Sequence, residues 1–125
     1  MIANKLSGAL VDASREVQSI LGPGLLESVY EEALVHELRK RRLAIARQAT
    51  LAIAYKSLVI RDAFRVDLLV EKKVIVELKA VETVTNVHKK QLLTYLKLSG
   101  YKLGLLINFN TDLIKNGITR MVNGL

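Results

Sequence analysis

Phe64-Arg65-Val66-Asp67-Leu68-Leu69-Val70-Glu71-Lys72-Lys73-Val74-Ile75-Val76-Glu77-Leu78-Lys79-Ala80 is the stretch on which the reading of this chain turns. Its two arms are short and rich in Val, Ile and Leu, with polar residues at period two, the pattern of β-strands. Glu71-Lys72-Lys73 between them is polar and short enough for a hairpin loop. With those three residues in the loop, Val70 pairs with Val74, and counting outward sets Asp67 opposite Glu77. Glu77 and Lys79 are two apart and share a face. Two acids and an amine thus converge on one patch of a largely apolar sheet. Facing side chains in an antiparallel pair have Cβ atoms roughly 5 Å apart, and like charges placed so are destabilising. At an effective dielectric near 20 the repulsion is about 3 kcal/mol. A divalent cation would reverse its sign, and hard oxygen ligands suit Mg²⁺. The alternative is a hairpin with solvated charges on an exposed face, which fits less well because each charge is flanked by apolar residues.

Working outward, Leu6, Ala9, Leu10, Ala13, Val17, Ile20 and Leu21 recur at helical spacing and predict a first amphipathic helix, which Gly22-Pro23-Gly24 ends. A second helix is expected from about Leu25 to Arg41, with Tyr30, Leu34 and Leu38 as its core stripe. Glu27 near its start serves either as an acid complementing the helix dipole or as a third acidic contributor to the site. Leu43 to Tyr55 reads as a long strand whose alternation is blurred by alanines. Lys56-Ser57 is a turn, and Leu58 begins a strand that runs on into the Asp67 segment. Beyond the hairpin, Glu82, Thr83 or Thr85 caps a helix of about Val87 to Leu98 that ends at Ser99-Gly100. Leu103 to Phe109 is a nearly uncharged run and reads as a central strand. Strand, helix and strand from Val74 to Phe109 imply a crossover with parallel pairing. Asn116-Gly117 is a turn signal, leaving Ile118 to Val122 as a short edge strand. The sum is an α/β (α+β mixed) architecture, a mixed sheet with helices packed on it, in one domain over residues 1–125.

Bulk properties narrow the function. The 125 residues suit one ordinary domain. Cysteine is absent, which excludes disulfides, thiolate metal sites and cysteine nucleophiles. The longest uncharged stretch, Val17 to Leu26, is ten residues, too short to span a bilayer. No secretory signal opens the chain, so the expectation is a cytoplasmic protein without a membrane partner. Nineteen Lys and Arg against twelve Asp and Glu give a formal charge of +7, which favours an anionic partner, nucleic acid first. The densest basic run, Arg39-Lys40-Arg41-Arg42, serves either as a solvated helix end or as a phosphate contact. His88-Lys89-Lys90 opens the crossover helix and likewise either faces phosphate or is a solvated helix start. With two Phe and no Trp, no aromatic platform for single-stranded bases is evident.

Several of these residues also carry a resemblance. Gly24-Leu25-Leu26-Glu27-Ser28-Val29-Tyr30 resembles the pattern that names the GxxExxY proteins. Asp67 followed by Glu77-Leu78-Lys79 is similar to the D…(D/E)xK signature of the PD-(D/E)xK nuclease superfamily, although Val66 stands where a proline often precedes the aspartate. Gln91-Leu92-Leu93-Thr94-Tyr95 resembles the QxxxY element of exonuclease-like members. The resemblance spans nearly the whole chain and implies a restriction-endonuclease-like core and a metal-dependent nuclease using Mg²⁺ or Mn²⁺, with DNA the first expected substrate. It implies Asp67, Glu77, the Leu78 carbonyl and Glu27 around the metal, Lys79 at the attacking water or the phosphate, Gln91 on water or phosphate, and Tyr95 against the site. Three functions compete: a nuclease, a non-cleaving nucleic-acid-binding module on the same fold, and a protein-interaction module. With no specificity element in the chain, a homodimer or a protein partner supplying specificity is expected.

Overall fold

The computed structural model describes residues 2–124. Helix α1 (Ala3–Leu21) and helix α2 (Glu27–Lys40) precede strands β1 (Ile45–Tyr55), β2 (Leu58–Val70) and β3 (Val74–Lys79). Helix α3 (Asn86–Ser99), strand β4 (Leu103–Asn108), a 3-10 turn (Ile114–Gly117) and strand β5 (Ile118–Val122) complete the order. The five strands form one sheet in the order β1-β2-β3-β4-β5. β3 and β4 run parallel, and the other neighbours are antiparallel. A parallel pair needs a crossover, and α3 supplies it.

The hairpin register follows the counting: Val70 lies opposite Val74, Leu69 opposite Ile75 and Leu68 opposite Val76. Each face of the sheet buries its own cluster. On one face Leu6, Leu10, Ala13 and Val17 of α1 and Tyr30, Leu34 and Leu38 of α2 pack over Leu68, Val70, Val76 and Leu78. On the other, Leu92 and Leu96 of α3 pack over Val66, Leu69, Ile75 and Leu106. β3 and β4 are covered on both sides, which is why they read as continuous apolar runs. Among the described residues no helix is long and apolar enough to cross a membrane.

Three boundaries move from their sequence expectations, each for a local reason. α2 begins at Glu27, not Leu25, because the chain before it is held by a side chain: the Tyr30 hydroxyl donates to the Gly22 carbonyl (2.6 Å) and accepts from the Leu25 N–H (3.1 Å). β1 begins at Ile45, not Leu43, because the Leu43 N–H turns back to the Leu38 carbonyl at 3.2 Å and closes the end of α2. β4 ends at Asn108, and Phe109 leaves the sheet to stack on Tyr30, with ring centroids 4.7 Å apart and planes 3° apart. Thr85, one of three candidate caps, is the one that closes α3: its hydroxyl accepts from the His88 N–H while His88 Nδ1 accepts from the Thr85 N–H. His88 is thereby committed to a capping box.

Candidate active site

Asp67 and Glu77 stand where the hairpin stops behaving as a ladder. Backbone pairing between β2 and β3 runs from Val70/Val74 to Leu68/Val76. At the next position side chains replace main-chain acceptors. Asp67 Oδ2 accepts the Leu78 N–H at 2.7 Å, and Glu77 Oε1 accepts the Asp67 N–H at 3.2 Å. The two acids hold each other's strands apart and satisfy the donors that the opening frees. Each carboxylate keeps its second oxygen. Asp67 Oδ1 has a long contact of 3.4 Å from Gln48 Nε2, whose stronger bond, 2.7 Å, goes to Glu31 Oε1.

The same point is where the β1–β2 pair changes sides. Leu68 and Val70 pack in the α1/α2 core, whereas Phe64 and Val66 pack in the α3 core. Strict alternation would put all four on one face. On β1, Ile45 belongs to the first core and Ala49 and Leu51 to the second. The switch falls at Asp67 on one strand and at Gln48 on the other, and Gln48 has a left-handed backbone, φ 49°. The twist leaves Asp67 half-buried at the joint.

Electrostatics follow from burial. Glu77 is nearly covered, with 9 % of its surface exposed. That burial, and next the charge of Asp67, push its carboxyl up to about 8; the Asp67 N–H and Lys79 pull against the rise. Glu27 is exposed as a residue, yet its carboxyl is also raised, first by partial desolvation and then by the charge of Asp67, with Lys79 lowering it. The Tyr95 phenol is held above its ordinary value by burial and by the charges of Glu77 and Asp67, while its ring stacks on Phe64 at 4.0 Å. Glu27, Asp67, Glu77, Lys79 and Tyr95 therefore share one electrostatic neighbourhood. Lys79, half-buried, is fixed through its main chain: its carbonyl accepts the Phe109 N–H at 2.9 Å.

Other expected residues stand elsewhere. Gln91 lies exposed on α3, one turn before Tyr95, its side chain without a hydrogen-bond partner among the described residues. Lys89 and Lys90 are in the first turn of α3. Arg39, Lys40, Arg41 and Arg42 are exposed at the far end of α2. Fourteen helical residues place them about 20 Å from Glu27. The neighbouring Ala44 N–H bonds Glu71 in the β2–β3 turn, the opposite end of the hairpin from Asp67. Arg41 pairs with Glu37 at 3.0 Å, and Arg47 bridges Glu31 and Glu32. Tyr30, fully buried, acts as a clamp on the 22–25 turn. The Gly24–Tyr30 motif is thus one local device: Gly24 adopts φ +97°, which favours glycine, Glu27 opens α2, and Tyr30 one turn later ties the turn down.

The sequence reading passed over Glu31, Gln48 and Asn108. Glu31 was visible as the residue four after Glu27, hence on the same helical face. Asn108, 3 % exposed, fixes the chain as it leaves Lys79: its amide accepts from Val81 and Asn110 N–H groups and donates to the Val81 carbonyl. Among the described residues no three His, Cys, Asp or Glu side chains come close enough together to hold a metal ion. What the site offers is a pair of carboxylates beside an amine, with the second oxygen of Asp67 met only by the long contact from Gln48. Such a pair fits a hydrated divalent cation, which often takes only one or two protein carboxylates. A comparison with curated proteins and with solved structures finds no match. The model of the PD-(D/E)XK nuclease superfamily, whose members generally use divalent metal ions, matches residues 4–121.

Proposed function

Because the chain belongs to the PD-(D/E)XK nuclease superfamily, we propose that it hydrolyses phosphodiester bonds in nucleic acid, DNA first, with Mg²⁺ or Mn²⁺ as cofactor. One observation carries this reading: the carboxylate pair, Glu77 buried and Asp67 half-buried, that interrupts the β2–β3 ladder, with Glu77 raised to about 8 and Lys79 on its face. A buried acid pair of this kind is unfavourable for folding unless a cation or a proton offsets it. Asp67 Oδ1, Glu77 and the Leu78 carbonyl would hold the ion, with Glu27 orienting that shell. When bound, the ion supplies Lewis acidity and lowers the pKa of its water. Lys79 contributes fixed positive charge where the phosphate becomes more anionic in the transition state. Glu77 would give up its proton on holding the ion. Tyr95, kept protonated, donates from the α3 side, and Gln91 positions water or a phosphate oxygen. Lys89 and Lys90 meet the backbone near the site, and Arg39, Lys40, Arg41 and Arg42 hold phosphates farther along.

The test is cleavage by the purified full chain of duplex and single-stranded DNA and RNA with Mg²⁺ or Mn²⁺. Glu77→Ala and Lys79→Ala are each expected to remove the activity. Cleavage that survives both substitutions overturns the proposal. A second reading, a module that binds nucleic acid without cutting it, draws on the lack of a three-residue ligand cluster among the described residues. Binding without cleavage, weakening steeply with salt, would select it.

A further inference from the structure

β2 outruns its inner neighbour. β3 pairs with Leu68 to Val70 alone, whereas β1 pairs with β2 from Val70 out to Leu58. Phe64 and Leu51 are the outermost residues packed on the α3 core. Beyond them, residues 52–63 stand as a two-stranded ribbon with no third strand. An isolated ribbon is marginal in water, and this one also exposes large apolar side chains: Tyr55 59 %, Leu58 57 %, Val59 65 % and Ile60 39 %. Patches of this sort mark interaction surfaces.

The charges on the ribbon say what covers it. Lys56, Arg61 and Arg65 lie along β2 and its turn against one acid, Asp62. None of the three cations makes an ion pair among the described residues, whereas Arg15, Arg41 and Arg47 all do. A second copy of a chain carrying +7 would bring cations against cations. Single-stranded bases need open aromatic faces, but Phe64 and Tyr95 are stacked on each other, and the one exposed ring of the ribbon, Tyr55, carries Lys56 Nζ over its face at 5.6 Å. The major groove of a DNA duplex, by contrast, admits a two-stranded ribbon and offers thymine methyl groups to apolar side chains.

We propose that the β1–β2 ribbon is an arm that seats in a groove of a nucleic-acid duplex, with Lys56, Arg61 and Arg65 on the phosphates and the apolar tip against the groove floor. The arm is continuous with Asp67. Nine residues separate Asp67 from Leu58, up to about 30 Å at strand rise, close to the roughly 34 Å of one duplex turn. The arm therefore grips the duplex within about one turn of the cut. The inference rests on the nuclease reading in taking nucleic acid as the partner.

Binding is measured in chelator, so that no cleavage occurs, by anisotropy of a labelled duplex about three turns long across a salt series. Arg61→Gln/Arg65→Gln is compared with Lys72→Gln/Lys102→Gln, an equal charge change at the other end of the sheet. The ribbon variant should bind more weakly, with a log K against log salt slope shallower by about 2, and the control should keep the wild-type slope. Val59→Ser should weaken duplex binding without changing the slope. No duplex binding by the wild type, or equal losses in ribbon and control variants, overturns the arm. So does a wild-type dimer in sedimentation that Val59→Ser dissolves, which would assign the ribbon to a second copy. Ribbon-dependent binding without Glu77-dependent cleavage leaves the arm and removes the nuclease. Glu77-dependent cleavage with unchanged binding in both ribbon variants does the reverse.

Discussion

The two ends of the β2–β3 hairpin use neighbouring residues of the same two strands and are built on different physics. At the turn end Val70 faces Val74 and Leu69 faces Ile75, all buried, with main-chain groups paired as a ladder. Three residues along, Asp67 and Glu77 occupy the corresponding positions, and their carboxylates accept the N–H groups that a ladder would have paired. The first end is held chiefly by apolar burial. The second is held by charge-assisted bonds among groups that repel each other. The comparison teaches that a short strand pair can anchor a core at one end and store unfavourable electrostatics at the other, provided every freed donor finds an acceptor.

Replacing an acid at the second end should separate stability from activity. Glu77→Gln keeps an oxygen for the Asp67 N–H and removes the charge. We expect cleavage to fall by roughly a thousandfold or more. The metal-free protein should, however, lose the part of its pH dependence that comes from Glu77. Glu77 titrates near 8 when folded against 4.5 as a free group, so folding favours its protonated form. Stability from this group is complete below about 4.5 and declines as pH rises to about 8, by roughly 1.4 kcal/mol per unit. Denaturant titrations of metal-free protein at pH 5 and pH 8.5 should show the decline in the wild type and its absence in Glu77→Gln. An identical pH response in both proteins would break the comparison.

Within the paired part of the ladder the expected effect is purely mechanical. Leu68→Ala removes a fully buried side chain from the α1/α2 core and should cost about 2–5 kcal/mol. The loss should be the same at pH 5 and pH 8.5, read from the denaturation midpoint. A pH-dependent loss would mean that the two ends are coupled more tightly than their hydrogen bonds indicate.

Tyr30→Phe gives the smallest effect and sharpens the role of the Gly24–Tyr30 motif. It leaves the stack on Phe109 and removes the hydroxyl that ties Gly22 to Leu25. A stability loss of about 1–3 kcal/mol is expected for the unpaired backbone groups. Activity, measured well below the unfolding temperature, should fall through a looser Glu27 and not through loss of a chemical group. A stability unchanged from wild type would show the clamp to be dispensable.

The sequence revealed the hairpin register because a three-residue polar loop between apolar arms leaves one way to count, and Val70 opposite Val74 fixes Asp67 opposite Glu77. The apolar length of Leu103 to Phe109 likewise marked a strand covered on both sides. The opened ladder was hidden, since it depends on which atoms of Asp67 and Glu77 reach which N–H. Gln48 was hidden for a different reason. Counting back from the Lys56-Ser57 turn, Tyr55 pairs with Leu58, and the same register would set Gln48 opposite Arg65. Between Leu51 and Ile53 the register shifts by two: Ala52 alone faces Arg61, Asp62 and Ala63, and Asp62 adopts φ 50°. That bulge carries Asp67 to Gln48, and no local pattern announces it. Gln18, buried and bonded to the Phe109 carbonyl at 3.2 Å and to both oxygens of Thr111, spans more than ninety residues and left no sequence signal either.

Helix α2 is also a rod with unlike poles. Glu27 stands at its start, close to the carboxylate pair, and Arg39 to Arg42 stand at its finish. The separation is set by a rigid helix, so the molecule is electrically lopsided along a constant axis. A polyanion such as the proposed substrate would be drawn to one pole and turned away from the other, and would arrive already oriented. A divalent cation held as proposed by the carboxylates would reverse the repelling pole, and their occupancy would then be the gate that decides when a phosphate can come to rest there.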